Sequence, residues 1–371
     1  MMAAQPHAPS IATDLSENIE DAQKSHCNLL ERMPKWLICI PLVMQWMWLA
    51  ARYRSLTLPT CANPRITAGG LVGEGKLEYF ASMGPIALAA TAPHIAISTD
   101  VRHTGAKLRH MIKSADMAFP LVVKPNLGLC GYGVRRVANR HELLAYLAEF
   151  PVNETVVLQQ WLPQDGEAGI FYVRDPDTPH GRIIGLTLRY FPRVTGDGLH
   201  SVDQLIANDA RAQRVNQPQR HQSKIDGAHI PQPGEVVRLA TIGSTRVGGL
   251  YRDGAACITP QLLSFIDSIA KDMPQFYFGR FDVRFDSMAD LREARGLSIM
   301  EVNGAGSEAI QAWDPDTGFF KGLGMIFDKQ RTLFAIGHAM RRKGYQPIGW
   351  VALARLNWRQ NKLMALYPPS N

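Results

Sequence analysis

The clearest alternation of apolar and polar positions lies in GRFDVRFD, residues 279–286. Phe281, Val283 and Phe285 point one way along an extended chain, and Asp282, Arg284 and Asp286 point the other. SIMEVNG at 298–304 repeats the pattern, with Glu301 and Asn303 on one face and Met300 and Val302 on the other. Upstream, FPLVVKPNLGLCGYGVRRV at 119–137 reads as strand, glycine-rich loop and strand, so its loop is the tip of a hairpin. Further strands are predicted at 154–162 and 181–191, and helices at 140–150 and 259–273. The turn VTGDGLHSVDQLI at 194–206 leads into another helix, 207–235 is polar and reads as a long loop, and the last 50 residues are mostly helical. Strands do not alternate regularly with helices and there is no internal repeat, so the fold class is α+β rather than one doubly wound sheet.

These patterns divide the chain into a loose polar extension (1–30), an N-terminal lobe (31–115), two further lobes (116–195 and 196–325) and a basic helical segment (326–371). The N-terminal lobe contains a glycine-rich turn, AGGLVGEGK at 68–76, and an apolar run, 36–51. That run carries Gln45 and Pro41, is flanked by Lys35, Arg52 and Arg54, and is shorter than the roughly 20 apolar residues of a spanning helix. Three readings stay open: a buried helix or subunit contact, which permits a homodimer; peripheral membrane contact through 36–54; or a span. The acidic residues upstream, Asp14, Glu17, Glu20 and Asp21, do not suit a secretory signal.

The 371 residues can bury a sizeable core, and the 46% apolar fraction is ordinary for a globular protein. Lys and Arg outnumber Asp and Glu, 40 to 33, giving a net charge of +7. That excess suits an anionic ligand or an acidic membrane surface and is too diffuse to indicate nucleic acid. The five cysteines are an odd number without a C-x-x-C motif, which fits a reducing cytoplasm.

Two patterns carry chemistry. If the runs at 279–286 and 298–304 pair, Asp282, Glu301 and Asn303 converge as an oxygen-only ligand set, which suits Mg²⁺ beside nucleotide phosphates. An amphipathic hairpin with a solvated face would read the same way in either strand alone. In VVKPNLGLCGYG the glycines follow neither the dinucleotide fingerprint nor Walker A. Gly128, Gly131 and Gly133 would let backbone N–H groups approach phosphate oxygens, and Lys124, at the end of an apolar strand, would add a point charge. A flexible surface hairpin explains the glycines but not the lysine.

The order of these pieces, lysine strand, glycine hairpin, hinge strand and a metal hairpin ending in E-x-N, resembles the ATP-grasp superfamily over residues 115–310. FPLVVKP and GRFDVRFD…IMEVNG are similar to D-alanine–D-alanine ligases, and VTGDGLHSVDQLI is similar to the ligase domain of cyanophycin synthetases. The resemblance implies a nucleotide held between two α+β lobes, with an N-terminal substrate lobe. It further implies that Lys124 holds ATP phosphates and that Gln160, Trp161 and Leu162 surround the adenine. Glu167 would meet the ribose, Arg280 would stabilise the transferred phosphoryl group, and Asp282, Glu301 and Asn303 would bind two Mg²⁺ ions, with Mn²⁺ as a substitute. GGLVGE at 69–74 is similar to the G-G-x-S-x-E of D-alanine ligases, with Val72 in place of the serine; it puts Glu74 at a substrate amine. RYFPRVTGDG places Arg193 where an acidic donor could be met. EVNGAGSEAIQAW lacks the N-x-x-PG of both relatives, a loop that the resemblance would have shape the acceptor pocket, so the resemblance does not extend to D-alanine as acceptor.

The implied activity is an ADP-forming carboxylate–amine ligase that makes an amide or peptide bond through an acyl phosphate, acting on small molecules such as amino acids or peptides. Two alternatives are an ATP-grasp small-molecule kinase and a non-catalytic nucleotide-binding protein associated with a membrane.

Overall fold

The computed structural model describes residues 33–100, 105–215 and 217–370, so the expected extension at 1–30 lies outside the described residues. In chain order the elements are α1 (Lys35–Tyr53), α2 (Lys76–Ala81), α3 (Pro85–Ala89), β1 (His94–Ser98), α4 (Gly105–Ser114), β2 (Leu121–Pro125) and β3 (Arg135–Val137). Then come α5 (Arg140–Glu149), β4 (Thr155–Gln160), β5 (Gly166–Val173), β6 (Arg182–Tyr190), β7 (Arg193–Thr195), α6 (Val202–Asn208), α7 (Gln217–Gln222), β8 (Val236–Arg238) and β9 (Leu250–Asp253). The chain continues through α8 (Pro260–Lys271), β10 (Phe278–Phe285), α9 (Met288–Glu293), β11 (Ser298–Asn303), α10 (Phe319–Arg342) and α11 (Trp350–Met364).

The hairpin expected at 119–137 forms: Leu121 faces Val137 and Val123 faces Arg135 across β2 and β3. It belongs to a four-stranded sheet of order β1-β4-β2-β3. Alternate residues of these strands, Leu121, Val123, Val156 and Leu158, are buried against Leu108 and Ile112 of α4 and Leu143 and Tyr146 of α5. α5 starts where expected because the Asn139 side chain accepts from the Glu142 N–H, satisfying an otherwise free helix donor. The sheet also claims β1 and α4, which the sequence boundary at 115 had assigned to the N-terminal lobe. The reason is pairing: Ile97 sits opposite Val156 and is fully buried there.

The second sheet has five antiparallel strands in the order β11-β10-β5-β6-β9. Phe281, Val283 and Phe285 enter its core as the alternation predicts, packing with Ile266 and Ile269 of α8. The central strand β5, GEAGIFYV, has no alternation to read, because all of it is buried. Its Gly169 leaves room for the Arg280 side chain, since a Cβ there would lie 3.1 Å from Arg280 Cδ. The stretch 207–235 contains α7, and the adjoining α6 and β7 share a small core through Val194, Val202 and Ile206 with Leu239.

Residues 58–92 lie along the β11 edge of this sheet. Buried Asn63 donates to the carbonyls of Gly69 (2.9 Å) and Phe278 (2.8 Å) and accepts from the N–H of Tyr277 (2.9 Å). The Gly-rich turn then packs on the chain leaving β11, with Ala305 N–H on Gly69 O (3.1 Å) and Gly306 N–H on Gly70 O (2.6 Å). Gly70 has φ 75°, and a Cβ there would stand 2.7 Å from Gly304 Cα, so both glycines are needed for the approach.

The apolar run 36–51 is helix α1. One side is buried on α10: Leu49 is 2% exposed, Trp46 meets Phe334 edge-on at 5.0 Å, and Gln45 donates to Phe327 O at 3.1 Å. Among the described residues no helix is long and apolar enough to cross a membrane.

Candidate active site

The two sheets and the Gly-rich turn enclose a cavity of about 420 Å³. On its floor β10 and β11 place Asp282 directly opposite Glu301 and Arg280 opposite Asn303. The register slips after Asp282, so that Met300 has no partner on β10. The bulge leaves the Met300 carbonyl outside the ladder, and the Lys124 ammonium donates to it at 3.0 Å. Lys124 thus reaches from β2 across to the carboxylate strand.

Each carboxylate is met by cations. Asp282 accepts from Arg280 Nε (2.7 Å) and Arg280 NH2 (3.1 Å), from Arg189 NH2 (3.0 Å) and from Asn303 Nδ2 (3.2 Å). Arg189 also reaches Glu167 at 3.0 Å, and Arg284 pairs with the other Glu167 oxygen at 3.2 Å. Glu301 pairs with Lys76 at 3.1 Å. Burial opposes ionisation of Asp282, but Arg189 and Arg280 outweigh it and hold its pKa below the ordinary value. Burial likewise opposes ionisation of Glu301, and Lys76 and Lys124 outweigh it. The Lys124 ammonium is pushed down to about 8 by burial, partly offset by Glu301.

Among the described residues no three His, Cys, Asp or Glu side chains cluster as a metal cage. Asp282, Glu301 and Asn303 do supply a hard oxygen set that fits Mg²⁺ completed by phosphate oxygens and water.

Above this floor, Gly128, Leu129, Cys130 and Gly131 of the β2–β3 loop roof the cavity. Gly131, with φ 73°, lies against Ile242, whose Cδ1 would be 3.2 Å from a Cβ at that position. Ile242 belongs to the loop 241–244, a second part of the roof. Arg246 joins the two loops, donating to Cys130 O at 3.3 Å and covering the Tyr132 ring at 4.4 Å. Gly133 does not line the cavity; it packs between Pro125 and Tyr367.

Where β4 leads into β5, Gln160, Trp161, Leu162 and Glu167 line the cavity with Val122 and Val134. The Gln160 carboxamide is already occupied, accepting from Ala118 N–H at 3.0 Å and donating to Ala118 O at 3.1 Å, so it ties β4 to the chain before β2. The Trp161 ring has the Arg136 guanidinium 5.2 Å from its centre.

Glu74 enters from the Gly-rich turn, whose conformation is held by Glu78 accepting from Thr67 N–H (2.7 Å) and Gly75 N–H (2.9 Å). Glu74 Oε2 is buried without a hydrogen-bond partner. Burial pushes its pKa from 4.5 up to about 7. The unfolded chain therefore loses this proton first, and folding stability should fall as pH rises from 4.5 to about 7. Glu74→Gln should remove that component of the slope. Thermal midpoints of both proteins across the window measure it, and equal slopes would mean that Glu74 holds no proton in the folded state.

Arg193, expected near an acidic donor, stands on β7 and does not line the cavity. Conversely, Lys76, Arg189, Arg284 and the Asn357, Gln360 and Asn361 side of α11 line it without having been assigned roles from the sequence. Lys76 directly follows GGLVGEG, and Arg284 is two residues beyond Asp282 on the same face, so both had a local signal. Arg189 lies in an apolar strand and had none. α11 is fixed to the turn by Gln360, which accepts from Gly73 N–H at 2.9 Å.

No family model matches the chain, and no curated protein matches it. Solved structures are similar to it at low identity. A D-alanine–D-alanine ligase from Bacillus anthracis is 16% identical with TM-score 0.40, covering 72% of this chain and 71% of that one. The VanG D-Ala:D-Ser ligase from Enterococcus faecalis is 14% identical with TM-score 0.39, covering 72% and 62%. A bifunctional glutathione synthetase from Pasteurella multocida is 17% identical with TM-score 0.34, covering 65% of this chain but only 33% of its own length. The chain thus spans about a third of that synthetase.

Proposed function

We propose that this chain is an ATP-grasp carboxylate–amine ligase that forms an amide or peptide bond with release of ADP and phosphate. The observation that carries the reading is the pairing of Asp282 with Glu301 on the cavity floor, under Lys124 and the glycine loop. Ordinary amphipathic hairpins turn such carboxylates to solvent; here Asp282 is 2% exposed and held by two guanidinium groups.

In this reading a substrate carboxylate oxygen bonds to the γ-phosphorus as the bond to the bridging oxygen of ADP breaks. An amine nitrogen then bonds to the acyl carbon as phosphate leaves with its electron pair. Lys124, Lys76 and Arg280 bind and orient the phosphates, and little covalent chemistry is required of the protein. Mg²⁺ at Asp282, Glu301 and Asn303 would supply charge neutralisation on the phosphate oxygens. The apolar lining at Val122, Val134 and Leu162 suits an adenine. Glu74, with a pKa near neutrality, is placed to hold the amine and take the proton it sheds. The two roof loops exclude water from the acyl phosphate.

The test is ADP release with ATP and Mg²⁺ over pairs of amino acids and dipeptides. Release that requires a carboxylate and an amine together, with one amide per ADP, is expected. Release with an alcohol alone would identify a kinase. ATP binding without turnover over the whole screen would favour the non-catalytic reading.

A further inference from the structure

The side of α1 turned away from α10 is apolar at helical spacing: Trp36, Ile40, Val43, Met44, Met47 and Trp48. Trp36 is 68% exposed and Trp48 55%, so one indole stands near each end of the stripe. A patch of this kind on a globular surface marks an interaction site. α1 has no acidic residue, and the Arg52 guanidinium lies 5.5 Å over the Trp48 ring, with exposed Arg54 two residues further on.

The neighbouring helices repeat this chemistry. α10 runs parallel to α1, since Gln45 meets Phe327 and Arg341 donates to Tyr53 O. Its second residue, Phe320, is 84% exposed and sits at the Trp36 end, followed by exposed Lys321. The start of α11 is held to the chain leaving α1 by Thr57 Oγ1 donating to Ile348 O at 2.7 Å. α11 too lacks acidic residues; its Trp350 and Trp358 are 70% and 65% exposed, and Lys362 lies 5.1 Å over Trp358. The acidic side chain on the α10 surface, Asp328, is paired with Arg331.

Exposed indoles with cations beside them, on helices without anions, describe an anionic, partly apolar occupant. A second copy of α1 would bring two cationic rims together with no carboxylate between them. We propose that this face rests on the headgroup layer of an anionic lipid bilayer, with α1 lying in the interface plane. The indoles of α1 then sit at the boundary between headgroups and acyl chains, and Arg52 and Arg54 meet lipid phosphates. The proposal does not depend on the ligase reading.

The full-length protein should co-sediment with phosphatidylcholine vesicles containing about one third phosphatidylglycerol, at least about tenfold more tightly than with phosphatidylcholine alone. Its tryptophan emission should shift to the blue on binding, and added salt should weaken the binding. Met44→Glu with Met47→Glu should lower the partition coefficient by about tenfold or more, because two charges are driven toward acyl chains. Both side chains are more than half exposed, so the thermal midpoint should be unchanged. Wild-type protein that fails to bind the anionic vesicles overturns the proposal, whether residues 1–32 or a second copy covers the stripe. So does a double variant that binds as well as wild type.

Discussion

Glu301→Gln should stop turnover while leaving the protein folded, and Asp282→Asn should stop turnover and weaken the fold as well. In the proposed reading each change removes one negative charge from the oxygen set that would meet the phosphates, and loss of a single preorganised group of this kind costs about 10²-fold or more in kcat. The two differ in what they leave behind. Glu301 pairs with Lys76 at 3.1 Å and its side chain is 30% exposed, and a glutamine carboxamide oxygen in its place can still accept from the ammonium. The expected stability loss is about 1 kcal/mol. Asp282 is buried beneath Arg280 and Arg189, and the neutral amide leaves two desolvated guanidinium groups, with Glu167 still paired to Arg189 but not to Arg280. Removing one partner of such a buried set costs roughly 3–5 kcal/mol. Because the folded pKa of both acids is depressed, their stabilisation is present above the ordinary values of 3.8 and 4.5 and is lost as pH falls below them. Asp282→Asn should therefore flatten the acid limb of the wild-type stability profile. ADP release beside urea denaturation separates the two effects. Wild-type turnover in Glu301→Gln would end the metal assignment, and wild-type stability in Asp282→Asn would mean that the arginine pairing does not hold the floor together.

The floor was legible because period-two alternation survives when one strand face is core and the other is a cavity. Phe281, Val283 and Phe285 mark one side, and Asp282 and Arg284 mark the other. The same logic fails for β5, whose faces are both buried, so GEAGIFYV gives no period. It fails again for Arg189, which reads as an interruption in an apolar strand until Glu167 and Asp282 are seen on either side of it. The glycines at 69–70 are recognisable as a turn, but that they exist to meet Gly304 and Gly306 is a tertiary fact. The same holds for Gln360, which touches Gly73 across 287 positions of sequence. Gln160 lines the cavity, but that its carboxamide is committed to the backbone of Ala118 is again a tertiary fact.

Lys124→Met should weaken binding of ATP by about tenfold to hundredfold, since a hydrogen bond to a charged group is worth about 1.5–3 kcal/mol. Binding of adenosine should be nearly unchanged, because in the proposed reading the lost group meets phosphates and not the base. Methionine retains most of the lysine stem, so packing at the end of β2 is kept, and the substitution removes an ammonium that burial already disfavours. The Lys124 pKa is lowered from 10.5 to about 8, so in the wild type this group costs stability at neutral pH, and the cost fades as pH rises through that interval. Lys124→Met should accordingly melt no lower than the wild type at neutral pH, less the contribution of its hydrogen bond to Met300 O. A purely structural lysine predicts the reverse on both counts. Its loss would let β2 part from the bulge in β11, lowering the melting point and weakening ATP and adenosine alike. Titration calorimetry with ATP, ADP and adenosine, beside thermal melts of the same samples, distinguishes the two. If the triphosphate loses no more affinity than the nucleoside, the lysine at the end of FPLVVKP is a strut between the sheets, and its assignment to the phosphates falls.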